Sequence, residues 1–331
     1  MPKSRAIAGL AAIFLAAAAH ADPGGSLAVS KETRAALGSS IIDFAAENIV
    51  NQPALPVISD ADCSVNGKVA AAFRAQFSHR VLTAEKVCDA FAEANWKSAG
   101  GRYMFSNNNN DENILVITDL ARSNDDVLKI LGMQDMMLSL PGTPQDWNTL
   151  FLFHELQHSR DHINGTRVAE TTEYYADQGA RRYYAQAFHM GLVTNPDVPD
   201  AMRGVRVIED ISNPHEENTH NIALLAGLPG IKLDGDDGPV RISKSLRQAR
   251  ATIYQGIGLP TQAEAEKAAR DNPHLLYESV RRLYLNDAFD ADPVQKAYAG
   301  EFIRAAETYG ADYYRTGNKH TFTSILRPSI S

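Results

Sequence analysis

The chain has 331 residues, 44% of them hydrophobic and 22% charged, with 32 basic against 40 acidic side chains and a formal charge of −8. That acidic balance gives no electrostatic footing for nucleic acid or an anionic membrane, and neither is expected as a partner. The hydrophobic content suffices for a sizeable core, and no linker-like stretch forces a division into two domains.

The first residues read MPKSRAIAGLAAIFLAAAAHADPGG, with Lys3 and Arg5 ahead of an apolar run from Ala6 to Ala19 and then small-x-small Ala19-His20-Ala21. This is the layout of a secretory signal peptide. Residues 1–21 are therefore expected to be cleaved, leaving residues 22–331 as a single domain in the periplasm or medium. Loss of Lys3 and Arg5 takes the formal charge to −10. The apolar run is shorter than the roughly 20 residues a membrane span requires, and no later segment matches it, so no stable membrane insertion is expected. The two cysteines, Cys63 and Cys88, both lie in the exported part and are expected to pair as a disulfide. Closing that loop contributes roughly 3 kcal/mol through chain entropy.

Helical patterning begins at Lys31–Asn51 and resumes at 66–77 and 84–96. The period then changes. GRYMFS and NILVITDL are two β-prone runs around NNNNDE, expected to form a hairpin or neighbouring strands. A helix over about 124–138 follows, and LPGT breaks it. Thr143 suits an N-cap, Pro144 the first turn and Asp146 the positive end of the dipole, so the next helix is expected over Pro144–Ile163, stopped by Asn164-Gly165. A second helix over about 166–190 starts at once, making an antiparallel helical hairpin. Further helices are expected near 203–211, 244–257, 262–285 and 293–309. The fold class is α+β, mostly helical, with a small sheet beside the 144–163 helix and helical extensions at both ends of the chain.

The segment FLFHELQHSRDHING carries HELQH at 154–158. His154 and His158 stand one turn apart on one helix face, about 6 Å between Cβ atoms. Both ring nitrogens can thus meet one ion at about 2.0–2.1 Å. Glu155, displaced by about 100°, can reach a water in the ion's open position and act as general base. Catalytic zinc needs a third protein ligand. His162 continues the same face a turn too far along, and is expected to be a solvated or capping residue. Counting eight to nine residues either side of the hairpin turn lands near Glu173, with Glu170 as the rival. Asp177, one turn after Glu173 on the same face, is suited to bond the second nitrogen of a ligand histidine, which favours Glu173.

HELQH followed by Glu173-Tyr174-Tyr175-Ala176-Asp177 resembles the gluzincin zinc metallopeptidases. The resemblance covers residues 143–180 and implies a zincin-like core, with His154, His158 and Glu173 as Zn2+ ligands, Glu155 as catalytic base and Asp177 behind the ligands. It implies an exported hydrolase acting on peptide or protein substrates through a zinc-activated water. Arg160, two residues after the second histidine, stands where the extended motif usually carries an apolar side chain. The family also binds substrate backbone at a sheet edge beside the site; ENILVITDL is either that strand or an ordinary buried one.

Other features are weaker. His215 and His220 are candidates for a donor to a developing oxyanion, or simply parts of a polar loop. Tyr174-Tyr175 and Tyr183-Tyr184 are expected to pack the hairpin, and LDGDDG lacks the ligand order of a calcium loop. The rival function is a non-catalytic periplasmic or secreted binding or scaffolding protein with a vestigial metal site.

Overall fold

The computed structural model describes residues 26–50, 55–59, 62, 102–105, 113–116, 120–163, 172–212, 225, 227–228, 231 and 238–316. The Cys63–Cys88 pair, the helices expected at 66–77 and 84–96, and Glu170, His215 and His220 fall outside them, as does the LDGDDG segment up to its last glycine, Gly238.

Four short strands make one sheet: β1 (Leu27–Val29), β2 (Leu55–Ile58), β3 (Arg102–Phe105) and β4 (Asn113–Val116), in the order β1-β2-β4-β3. β1 and β4 both run parallel to β2, while β3 is antiparallel to β4 with Arg102 opposite Val116 and Phe105 opposite Asn113. The β-prone runs do pair with each other, as expected. β4 is paired on both sides, however, so it offers no free edge; among the described residues the edges are β1 and β3.

The rest is helical, so the mostly helical α+β class holds. The stretch expected as one helix from Lys31 is two, α1 (Lys31–Leu37) and α2 (Ser39–Asn48), because Gly38 adopts φ +88° between them. α3 (Asn124–Ile130) is shorter than the 124–138 expected. Gly132 at φ +72° stops it, with Gly132 N–H donating to Lys129 O and Met133 N–H to Leu128 O, the paired bonds of a Schellman ending.

α4 (Pro144–Ile163) has the expected bounds. Its start is locked by reciprocal bonds: Thr143 N–H donates to Asp146 Oδ2 at 2.8 Å and Asp146 N–H to Thr143 Oγ1 at 3.2 Å. Asp146 also accepts from Thr194 N–H and Oγ1, both at 2.7 Å, which ties the helix start to the turn before α6. Every residue from Trp147 to Ser159 is buried. A helix enclosed on all sides must satisfy its polar groups internally. Asn148 does so with both the N–H and the C=O of Ala121, each at 2.9 Å. Phe153 packs between Phe44 of α2 and the edge of Tyr183, with ring centroids at 5.5 and 6.5 Å.

α5 (Thr172–His189) packs on α4 and is followed by α6 (Val198–Ser212). α7 (Gly238–Ile257), α8 (Gln262–Asp271), α9 (Pro273–Leu285), α10 (Pro293–Tyr309) and α11 (Ala311–Thr316) complete the chain. The single helix expected over 262–285 is broken at Asn272, whose side chain caps α9, with Pro273 as its first residue. Among the described residues no helix is long and apolar enough to cross a membrane.

Candidate metal centre

Two helices supply the site. On α4, His154 and His158 are 7% and 8% exposed, and Glu155 is buried beside them. On α5, Glu173 and Asp177 approach the same two rings. His154 Nε2 lies 3.1 Å from Glu173 Oε2 and 3.1 Å from His158 Nε2, and His158 Nε2 lies 3.4 Å from Glu173 Oε1. One ligand atom from each of the three residues falls within 4.8 Å of the others, and this buried group could hold a metal ion.

The spacing is the test of fit. Ligands at about 2.0–2.1 Å from a tetrahedral ion lie about 3.3–3.4 Å from one another. The two imidazole nitrogens stand 3.1 Å apart, and the Glu173 carboxylate spans them with Oε2 3.1 Å from His154 and Oε1 3.4 Å from His158, separations close to that value. Protons alone serve the cluster poorly, since one proton on His154 Nε2 faces two acceptors, and His158 Nδ1 is buried with no hydrogen-bond partner among the described residues.

Around the ligands the electrostatics are tightly coupled. Burial works against a charged His154, but its bonds to Asp177 and Glu173 outweigh that and push the imidazole up to about 10. Burial would raise the Glu173 carboxyl, yet the bonds and charges of His154 and His158 hold it far below the usual carboxylate range. Asp177 is likewise lowered against its burial, by the Arg206 charge and the bond to His154. An ionised Asp177 accepts, so His154 Nδ1–H donates to Oδ1, at 2.8 Å, and the ring is held with Nε2 toward the cluster. The other Asp177 oxygen accepts from Arg206 of α6.

Sequence reasoning missed Arg206. The available signal was a lone cation inside the apolar run GVRVI, which needs an anion when buried. Arg160, the departure from the family pattern, has its own local purpose. It donates to Tyr183 Oη at 2.7 Å and points at the last carbonyls of α2, those of Asn48 and Ile49, at 3.4 and 3.5 Å. A cation at a helix C-terminus is favoured by the dipole, so the end of α4 is fixed by polar contacts instead of apolar packing.

Three of the four tyrosines are core, as expected: Tyr174, Tyr183 and Tyr184 are buried, while Tyr175 is 41% exposed. α4 continues unbroken past His162 to Ile163, and the side chain of His162 lies outside the described residues.

Comparison with protein families, with curated proteins and with solved structures finds no match to this chain.

Proposed function

We propose that the chain is an exported zinc metallopeptidase of the gluzincin type, cleaving peptide bonds with Glu155 as general base. The observation that carries this reading is the meeting of two imidazole nitrogens and one carboxylate on edges of 3.1–3.4 Å, with the glutamate of H-E-x-x-H next in the chain. Two histidines and one carboxylate form a donor set of catalytic zinc, which leaves a fourth position open.

Zinc bound there supplies a Lewis acid that brings the pKa of a water to about 7 and polarises a carbonyl oxygen. The chain's own groups do the remaining work. Asp177, braced by Arg206, holds His154 in the tautomer that presents Nε2. Glu173 brings the one negative charge among the three ligands. Glu155 accepts the proton of the attacking water and passes it to the leaving amine. On this reading α4, α5 and the sheet are a zincin-like core, with α4 and α5 as an antiparallel helical hairpin. The substrate-pairing edge is then β3, since β4 is interior to the sheet.

The test is Glu155→Gln in the purified, zinc-loaded protein, assayed against unfolded protein substrates. Hydrolysis is expected to fall by about 10²–10⁴-fold with bound zinc unchanged. Full activity in that variant contradicts the mechanism. No hydrolysis by the zinc-loaded wild type would favour the binding or scaffolding role.

A further inference from the structure

Gly179 lies on α5 two residues after Asp177 and six after Glu173, and the side chain it faces belongs to HELQH itself. A Cβ at position 179 would stand 2.3 Å from Gln157 Oε1, 2.5 Å from Cδ and 2.5 Å from Cγ. Non-bonded carbons settle at about 3.5–4.0 Å, so even an alanine overlaps Gln157 by about 1 Å. Gln157 has little room to yield. It is 8% exposed, its Nε2 donates to Asp161 Oδ1 at 2.6 Å, and one clashing atom is Cγ, close to the backbone of α4. Its Oε1 is buried with no hydrogen-bond partner among the described residues, on the side where α5 comes nearest. Glycine inside a helix costs about 1 kcal/mol relative to alanine. The backbone at Gly179 is ordinary helix, without positive φ, so what glycine supplies there is space.

We propose that Gly179 acts as a spacer: by leaving room for Gln157 it lets α4 and α5 approach closely at the metal ligands, which makes Gly179 a positioning residue. The proposal rests on the metal reading above. His154 and His158 ride on one helix and Glu173 and Asp177 on the other, so the interhelical distance at 157/179 sets the edges of the ligand triangle. A metal site tolerates about ±0.2 Å in its ligand distances. Forcing the helices apart by the overlap that an alanine creates would carry Glu173 out of that range and pull Asp177 off His154.

The experiment titrates the metal-free wild type, Gly179→Ala, Gln157→Ala and the double variant with Co(II). The visible bands report coordination geometry, and competition by zinc gives affinity. Gly179→Ala is expected to bind roughly 100-fold more weakly with altered band intensities. Gln157→Ala, which removes no ligand, is expected to bind like wild type, and the double variant to recover binding because the clash is gone. Wild-type affinity in a folded Gly179→Ala, loss of binding in Gln157→Ala, or a double variant as weak as Gly179→Ala would each overturn the spacer. If Gly179→Ala does not fold, the double variant decides: folded and metal-binding supports the proposal, whereas folded without metal, or unfolded, overturns it. A wild type that binds no Co(II) overturns the metal reading first, before any variant is compared.

Discussion

Two of the buried charge clusters that helix α6 joins differ in how their groups are matched. Toward the C-terminal helices, Arg250 Nη1 donates to Asp210 Oδ1 and Oδ2 at 2.8 and 2.7 Å, and Tyr298 Oη donates to Oδ2. One cation faces one anion, both oxygens accept, and burial together with the Asp210 charge holds the Tyr298 hydroxyl protonated. Toward α5, Arg206 and Asp177 make a similar pair, but beyond it His154, His158 and Glu173 bring three ligand atoms within 4.8 Å of one another, and His158 Nδ1 has no hydrogen-bond partner among the described residues. A closed inventory is the mark of a structural ion pair; a surplus of converging ligand atoms marks a place for a cation.

The largest expected effects set the two clusters against each other. His154→Ala, removing a ligand, should weaken zinc binding by roughly 3–5 kcal/mol, on the order of 150- to 5,000-fold, read by competition with a chelator. Arg250→Met should lower unfolding free energy by a similar 3–5 kcal/mol, because Asp210 is left buried without its cation, yet keep about one metal per chain. Urea denaturation with metal analysis separates these. If Arg250→Met lost the metal while folded, the clusters would not be distinct in role.

Finer changes sharpen the contrast. Asp177→Asn should cost about 10–100-fold in zinc affinity, since the negative charge is lost and a single amide oxygen cannot accept from both His154 and Arg206. The pH dependence has a definite sign. His154 is raised to about 10 in the metal-free protein, so it is protonated at neutral pH and a metal must displace that proton. Affinity should therefore rise about tenfold per pH unit between roughly pH 6 and 9, with about one proton released per ion bound, measurable by calorimetry in buffers of different ionisation enthalpy. A flat profile would mean that His154 is neutral before binding. The smallest effect is Tyr298→Phe, expected to cost about 1 kcal/mol of stability through one lost hydrogen bond and to leave zinc affinity unchanged.

The parts of this picture legible in the sequence are those set by local chemistry. α4 could be bounded at Pro144 and Ile163 because Thr143 and Asp146 are start signals within its first turn and Asn164-Gly165 is a stop signal in the sequence. The two histidines share a face because helical spacing alone puts them there, and Glu173 and Asp177 followed from equal rise along two helices. Tertiary choices were not legible. β1 and β2 are three- and four-residue strands whose partners lie far along the chain, and too short to show a period. Whether β4 is edge or interior depends on β2 and β3, not on NILV. Arg206 finds Asp177 only because α6 packs there. Gly38 and Pro273 were local signals that periodicity overrode, since the apolar spacing runs on through each break.

The most direct test is the metal content of the purified protein, measured by elemental analysis after metal-free dialysis and reloading with zinc, for wild type, His154→Ala and Glu173→Ala. Wild type is expected to hold about one zinc per chain and both variants to lose it. A wild type that holds no zinc, or a Glu173→Ala variant that holds it undiminished, would contradict a centre built from His154, His158 and Glu173.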